Sequence, residues 1–516
     1  YPSWAWPPSE RSKQKNRILF FIRILEVKLL KTRYPFEGYL CRVRGKNKNR
    51  ILTNLLIEDY AAEGKCLSRV DGKVIFIDGV VPGDKVDVRL LKSKKDWAEG
   101  TPVHFHTYSP NRTEIRCIHM GTCGGCQWQM LPYEWQLKYK QQQVEQTLKR
   151  IGKVELPPID NIVGCVTQYY YRNKIEYTFS NKRFLLPTEL NDPTISAQQN
   201  VAGFHARGFF DKVVDIQTCH LQAEPTNAIR LFVKGYAKEH DLSFYDYRTH
   251  EGYLRNLQIR LCKTGEIMVN LIVGEDNPSK TLPLLKELQA NFPAITTLLF
   301  TVNLKWNDSI HDLTPVVYHG KGFVLEELRN EEANRNFRFK IGPRSFFQTN
   351  TEQAEKLYQL TNSFAELSGT ETLYDLYCGT GSIGIFLSPK AKKIIGVEQI
   401  PAAIEDAKEN AALNGIEKTQ FFAGDVIDIC TDDFFAHHGR PDVIITDPPR
   451  AGMHPKLVEK LLEIAAPTIV YVSCNPSTQA RDLQALDSLY QVKKVQPVDM
   501  FPHTHHIENI VQLKRR

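Results

Sequence analysis

The stretch Leu373-Tyr374-Asp375-Leu376-Tyr377-Cys378-Gly379-Thr380-Gly381-Ser382-Ile383-Gly384 decides the fold. Its opening residues fit a buried strand, its glycines a tight turn, and a helix follows. Glycine lets a backbone approach a ligand closely, as nucleotide-binding turns require. Outward from there the alternation continues: a strand at 394–397, a helix over 401–414, strands at 420–422 and 442–446, a helix over 454–465 and a strand at 468–473. Strand and helix in regular alternation predict a doubly wound, mostly parallel α/β sheet that binds ligands at the carboxyl ends of its strands.

Gly379, Gly381 and Gly384 spell G-x-G-x-x-G, so the letters alone do not separate a dinucleotide from S-adenosylmethionine. The strand ends add information. Glu398 closes the second strand and can accept both ribose hydroxyls, while Asp425 follows the third and can meet an adenine edge. The fourth runs into Asp447-Pro448-Pro449-Arg450, a turn typical of methyltransferases that hold a planar base near a sulfonium. The competing reading is a sheet of this class binding another nucleotide.

Methylating carbon 5 of uracil needs a thiolate to add at carbon 6 and a base to remove the carbon 5 hydrogen. Tyr471-Val472-Ser473-Cys474-Asn475-Pro476 puts Cys474 at a strand end with a helix starting near Ser477. A helix N-terminus favours thiolate; the alternative is a buried core cysteine. In Pro502-His503-Thr504-His505-His506-Ile507-Glu508, the residues His503, His505 and Glu508 could bind zinc. On a strand, however, the two histidines would face away from Glu508, which reads better as the base.

Upstream, residues 55–108 hold short β-like runs at 73–77, 85–91 and 101–106 between Gly-rich turns, which predicts a small antiparallel barrel. Lys92, Lys94, Lys95 and Trp97 offer charge and a stacking face to single-stranded nucleic acid, or form a plain solvated loop. Cys117, Cys123 and Cys126 follow, then a long polar helix over 132–150 and an α+β region over 160–340. The expected domains are therefore a basic extension 1–50, a barrel 51–110, a central α+β domain 111–340 carrying the cysteines, and a C-terminal Rossmann-like domain 341–516.

Composition narrows the class. At 516 residues, 42% hydrophobic and 24% charged, the chain reads as globular and multidomain. Its net charge of +7 sits in residues 1–55, where thirteen Lys and Arg face three Glu; that surplus of ten leaves −3 for the remainder. Any nucleic-acid face must come from local clusters. Eleven cysteines are too few and unevenly spread for a secreted disulfide scaffold. The best apolar run, 18–30, is broken by Arg23, Glu26 and Lys28 and falls short of the ~18 residues of a membrane helix. A cytoplasmic, non-membrane monomer is expected.

The motifs Asp447–Arg450, Ser473–Pro476 and Pro502–Glu508, with Phe346-Phe347-Gln348-Thr349-Asn350 ahead of them, resemble the signatures of the uracil-5 RNA methyltransferase family. The resemblance implies S-adenosylmethionine as cofactor, RNA as partner, Cys474 as nucleophile and Glu508 as base. It implies that Gln348, Tyr377, Ser382, Glu398, Asp425 and Asp447 line the cofactor and base pocket. Ser382 stands where relatives often have Asn, and Asp425 where some do. Cys117-x5-Cys123-x2-Cys126 is similar to the iron–sulfur motif of the branch acting on 23S ribosomal RNA, with Cys219 as the implied fourth ligand of a 4Fe-4S cluster; zinc is the alternative. The barrel likewise resembles a TRAM domain. Together these point to ribosomal RNA, with transfer RNA as the alternative substrate and a non-catalytic RNA-binding iron–sulfur protein below both. A base-nitrogen methyltransferase would want an aromatic after Asp-Pro-Pro, where Arg450 stands.

Overall fold

The computed structural model describes residues 50–190 and 192–516, so the expected basic extension lies, but for Arg50, outside the described residues. The first unit has six strands: β1 (Ile51–Leu56), β2 (Asp59–Tyr60), β3 (Cys66–Val70), β4 (Lys73–Ile77), β5 (Lys85–Ser93) and β6 (Trp97–Thr107). Their order is β1-β5-β6-β4-β3-β2. Alternate residues Ile75, Ile77, Val86 and Val88 turn inward onto one small core. One pairing departs from the antiparallel expectation: β4 runs parallel to β6. Lys92 and Trp97 flank the β5–β6 turn, with the ammonium 4.9 Å from the indole centroid.

The polar helix Tyr133–Thr147 follows, extended by a wider turn over Leu148–Gly152. Val144 and Leu148 pack with the C-terminal sheet. The central sheet comprises β7 (Lys174–Lys182), β8 (Gln198–His205), β9 (Val213–Asp215), β10 (Leu254–Leu261), β11 (Ile267–Val273), β12 (Thr297–Val302) and β13 (Val316–His319), in the order β13-β12-β11-β10-β7-β8-β9. Helices Thr226–Glu239 and Pro278–Asn291 cover it through Ile229, Val233, Leu284 and Leu288. A hairpin of β14 (Val324–Asn330) and β15 (Arg335–Ile341) sends Phe337, Phe339 and Ile341 into the core shared with the last sheet.

That sheet has β16 (Thr372–Leu376), β17 (Lys393–Glu398), β18 (Thr419–Ala423), β19 (Val443–Thr446), β20 (Thr468–Ser473), β21 (Tyr490–Val498) and β22 (Glu508–Arg515). Its order is β18-β17-β16-β19-β20-β22-β21. The first five are parallel; β22 is antiparallel to both neighbours. β19 and β20 are buried along their whole lengths, since helices cover both faces, which is why they read as unbroken apolar runs. The strand order reverses between β16 and β19, and a ligand crevice opens at such a switch point. No helix among the described residues is long and apolar enough to cross a membrane.

Candidate active site

The turn after β16 forms one wall of that crevice. Gly379 (φ 53°) and Gly381 (φ 75°) are left-handed, and so is Tyr377 (φ 63°). For a tyrosine this conformation costs about 1–3 kcal/mol, a strain concentrated at ligand sites. Asp375, next to last in β16, accepts from Gly384 N through Oδ2 at 2.9 Å. A Cβ on Gly384 would stand 3.1 Å from that oxygen and from Ile394 Cγ2, so only glycine packs there without displacing its neighbours. The other oxygen, Oδ1, is buried without a hydrogen-bond partner. Burial pushes the Asp375 carboxyl up to about 7. The sequence reading quoted this residue but gave it no role.

Glu398 is held at the next strand end by two backbone donors, Ile400 N to Oε1 at 2.9 Å and Gly379 N to Oε2 at 3.3 Å. Its remaining lone pairs can still take hydroxyl donors. Asp425 caps the short helix Val426–Ile429 through Ile427 N at 2.9 Å. Ser382 Oγ lies 2.9 Å from Tyr358 OH, on the helix Thr351–Ala365. Asn350 caps that helix and donates to Met500 O at 2.9 Å. Gln348, two residues earlier, is buried, and its carbonyl accepts from Asn173 Nδ2 at 2.9 Å.

Opposite lies the second wall. β20 ends at Ser473, which pairs with Asn509 on β22; one more step of that antiparallel register sets Cys474 across from Glu508. Asn475 caps the helix Pro476–Leu486 through Ser477 N at 3.0 Å. Its Nδ2 also donates to Arg450 O at 3.0 Å, tying the Asp447–Arg450 turn to the cysteine. Burial pushes the Cys474 thiol up to about 12; Glu508 and Asp447 add to the shift and Arg450 opposes it. Asp447 is raised by burial to about 7. Glu508 is held well above the usual carboxylate range by burial and then by Asp447. The expected helix does start beside Cys474, while burial, Glu508 and Asp447 act on the thiol in the direction opposite to a helix N-terminus.

The segment before Glu508 is also not the strand that was expected. β22 begins at Glu508 itself, and His503 has φ 66°. Burial lowers His503 and His505 to about 4 and His506 to about 3, so all three are neutral at pH 7. His503 O accepts from Gln127 N (2.7 Å) and Trp128 N (3.0 Å), and His505 Nδ1 bonds Gln127 Oε1. Below them Lys140 and Asp499 form a fully buried ion pair at 2.6 Å. Asp499 Oδ2 also accepts from Tyr133 OH at 2.7 Å.

Those bonds lead to the cysteines, for Gln127 directly follows Cys126. Cys117, Cys123, Cys126 and Cys219 converge from segments far apart in sequence. Burial raises all four thiols, Cys126 to about 12, and Cys117, Cys126 and Cys219 each raise Cys123 further by their charge. Cys219 is clamped by Asn227, which accepts from its N–H (2.8 Å) and donates to its carbonyl (3.2 Å). Backbone N–H groups aim at the sulfurs: Gly125 at Cys123 (3.4 Å), His119 and Met120 at Cys117, Leu221 and Gln222 at Cys219. Among the described residues, no group of three or more His, Cys, Asp or Glu is arranged to hold a metal ion, so the expected 4Fe-4S site is not shown.

A family model described as tRNA (Uracil-5-)-methyltransferase matches residues 315–516, and a TRAM domain model matches residues 52–103. A protein of Bacteroides thetaiotaomicron described as an uncharacterized RNA methyltransferase is 52% identical over 459 residues, 88% of this chain and 100% of its own. The chain belongs to the uracil-5 RNA methyltransferase family. A Porphyromonas gingivalis protein with the same description is 47% identical, covering 89% of this chain and 99% of its own. Among solved structures, the Pyrococcus abyssi tRNA (uracil-54, C5)-methyltransferase in complex with S-adenosyl-L-homocysteine superposes with a TM-score of 0.68 at 28% identity, over 89% of this chain and 100% of that one. The three family signatures of this chain, at 447–450, 473–476 and 502–508, all gather at one edge of the last sheet.

Proposed function

We propose that this enzyme transfers a methyl group from S-adenosylmethionine to carbon 5 of a uridine in RNA, with Cys474 as nucleophile and Glu508 as base. The observation that supports the reading is the β20–β22 register, one step beyond which Cys474 and Glu508 face each other at the carboxyl edge of β20. The residues present fit the cofactor: a cradle of left-handed glycines, the anchored Glu398 carboxylate, and the orphaned buried Asp375 Oδ1. Bound there, S-adenosylmethionine supplies an electrophilic methyl group. Glu398 would accept from the ribose hydroxyls and Asp425 from the adenine edge, while Gln348, Tyr377, Ser382 and Asp447 line the remainder.

The chain's own groups do the following. Cys474 Sγ bonds to ring carbon 6, its proton passing to Asp447, whose affinity near pH 7 suits an acceptor. Burial and the Asp447 charge raise the proton affinity of the Glu508 carboxyl, which suits it to act as a base. Once carbon 5 carries the methyl group, Glu508 as carboxylate removes the hydrogen there. The electron pair of that C–H bond restores the ring double bond, and the Cys474–carbon 6 bond breaks to release the thiolate. Arg450 favours that thiolate.

Cys117, Cys123, Cys126 and Cys219 would hold a 4Fe-4S cluster. Four thiols, three with backbone donors aimed at their sulfurs and Cys126 beside the Gln129 side chain, suit that group. Zinc is the alternative occupant, since four thiolates also suit a tetrahedral site. Through Gln127 and Trp128 the cysteine segment props the loop that ends in Glu508. Ribosomal RNA is the substrate favoured by the cysteine set joined to the TRAM domain; the likeness to an archaeal transfer-RNA enzyme favours transfer RNA as the second reading. Incubation with 5-fluorouridine RNA and cofactor should leave a denaturation-resistant adduct on Cys474, and none in Cys474→Ala. Mapping 5-methyluridine in ribosomal and transfer RNA from cells with and without the gene separates the substrates. A Cys474→Ala enzyme with undiminished methylation overturns the mechanism.

A further inference from the structure

Away from the sheet edge that carries Cys474, three loops of the central domain meet at one exposed spot. The turn 246–251 is closed by Asp246 N to Glu251 O (2.7 Å) and His250 N to Asp246 O (2.8 Å). On one flank, loop 303–309 is pinned from inside by Arg255. Its fully buried guanidinium donates to the carbonyls of Asn303 (2.7 Å), Lys305 (2.6 Å) and Asn307 (3.1 Å) and to Asp308 Oδ1 (2.9 Å). This pinned loop presents Trp306, 78% exposed, whose ring stacks on His250 at 5.0 Å between centroids and 6° between planes. On the other flank Phe210, 67% exposed, lies 5.7 Å from the Arg248 guanidinium, which is itself fixed by an ion pair to the buried Asp211. Two such rings on anchored loops around one turn form a patch, which marks an interaction site more readily than a lone exposed ring does.

We infer that Trp306 and Phe210 form a stacking platform for unpaired bases of the RNA that flank the target uridine. The inference rests on the RNA reading above and adds where the substrate lies. Flat rings backed by a second planar group or a cation are the features that grip single-stranded nucleic acid without regard to sequence. Position agrees with this. Phe210 shares a loop, closed by Ala206 N to Lys212 O (2.9 Å), with Arg207, and three residues span at most about 11 Å. Arg207 pairs with Asp78 of the TRAM unit at 2.8 Å and is close enough to the catalytic loop that its charge helps to lower His505. Arg207 thus links the loop before Glu508 and the TRAM unit to the loop that carries Phe210. Local charges are balanced, Arg248 by Asp211 and Lys305 by Asp312, so stacking rather than phosphate attraction supplies the grip.

The test is fluorescence anisotropy of a fluorescein-labelled 20-nucleotide oligouridylate with full-length protein, Trp306→Ala, Trp306→Phe and Phe210→Ala, each checked for an unchanged melting curve. Base–aromatic stacking is worth about 1–3 kcal/mol, so each alanine variant should weaken binding about fivefold or more. Trp306→Phe should stay within about threefold, and the slope of affinity against salt should not change, because no phosphate contact is lost. Wild-type binding with unchanged affinity in both alanine variants overturns this inference and leaves the RNA reading standing. A wild-type protein that binds no RNA overturns both. Alanine variants that alter sedimentation but not RNA affinity make the patch an interface between copies of the chain, and the inference fails.

Discussion

Replacing Glu508 with Gln separates the two halves of the reaction. With the Cys474 thiol at about 12, only about one molecule in ten thousand holds thiolate at pH 8. Bringing that thiol to the working pH requires about 5 kcal/mol from bound substrate and cofactor. Burial is the largest cause of the shift and Glu508 the next. Glu508→Gln removes one of the two carboxylates, so the thiol titrates lower and ring addition becomes easier. Removal of the carbon 5 hydrogen, however, loses its base, a loss of about 10²–10⁴ in turnover. The variant should therefore bond to RNA, methylate it once and stay bonded. A denaturing gel of radiolabelled RNA reads the adduct, iodoacetamide labelling across pH reads the thiol, and mass spectrometry finds the methyl group on the trapped base. Turnover within tenfold of wild type with no adduct would refute the base assignment, and an unmoved thiol titration would refute the electrostatic argument.

Asp375→Asn should stabilise the empty protein at pH 8 and weaken S-adenosylmethionine. The carboxyl is raised to about 7, so the folded state resists ionisation while the unfolded chain ionises near 4. Its destabilising effect is thus absent below the unfolded value, grows from about pH 4 to 7 and then levels, and thermal melts at pH 5 and pH 8 should show the gain mainly at the higher pH. Lys140→Met strands a buried carboxylate at Asp499 and should cost about 3–5 kcal/mol, toward the lower end because Tyr133 OH and Phe501 N still donate to it. Urea unfolding checks this, and Lys140→Met with Asp499→Leu should recover part of the loss. Cys219→Ser should reduce bound iron and visible absorption of the purified protein to background, despite the distance of Cys219 from the other three cysteines in sequence. Iron content equal to wild type would remove Cys219 from the ligand set.

The last sheet was legible because its strands are buried on both faces and leave long apolar runs, and because its functional residues fall where those runs stop. Glu398, Asp425, Asp447 and Cys474 all stand at such ends. What was not legible depended on partners distant in the chain. The parallel β4–β6 pairing is a matter of tertiary register, not of composition. The carboxylate opposite Cys474 arrives on another strand, so the local sequence displays only the helix beside the thiol. Lys140 looked like one more charge on a polar helix until Asp499 was found against it. The histidines were placed on a strand because spacing alone does not show that His503 turns left-handed. Trp306 gave no signal at all, since nothing in a sequence reports that a buried Arg255 will hold its loop outward.

Strand β22 is synthesised after β21, yet it lies between β21 and β20. Until it arrives, two strands that will never touch each other must wait with open edges, a condition that invites wrong pairing. A chain delivered only through β21 still lacks Glu508, the first residue of β22. Order of synthesis and order in space are opposed here, so the sheet and the proposed site are completed together by the last segment made.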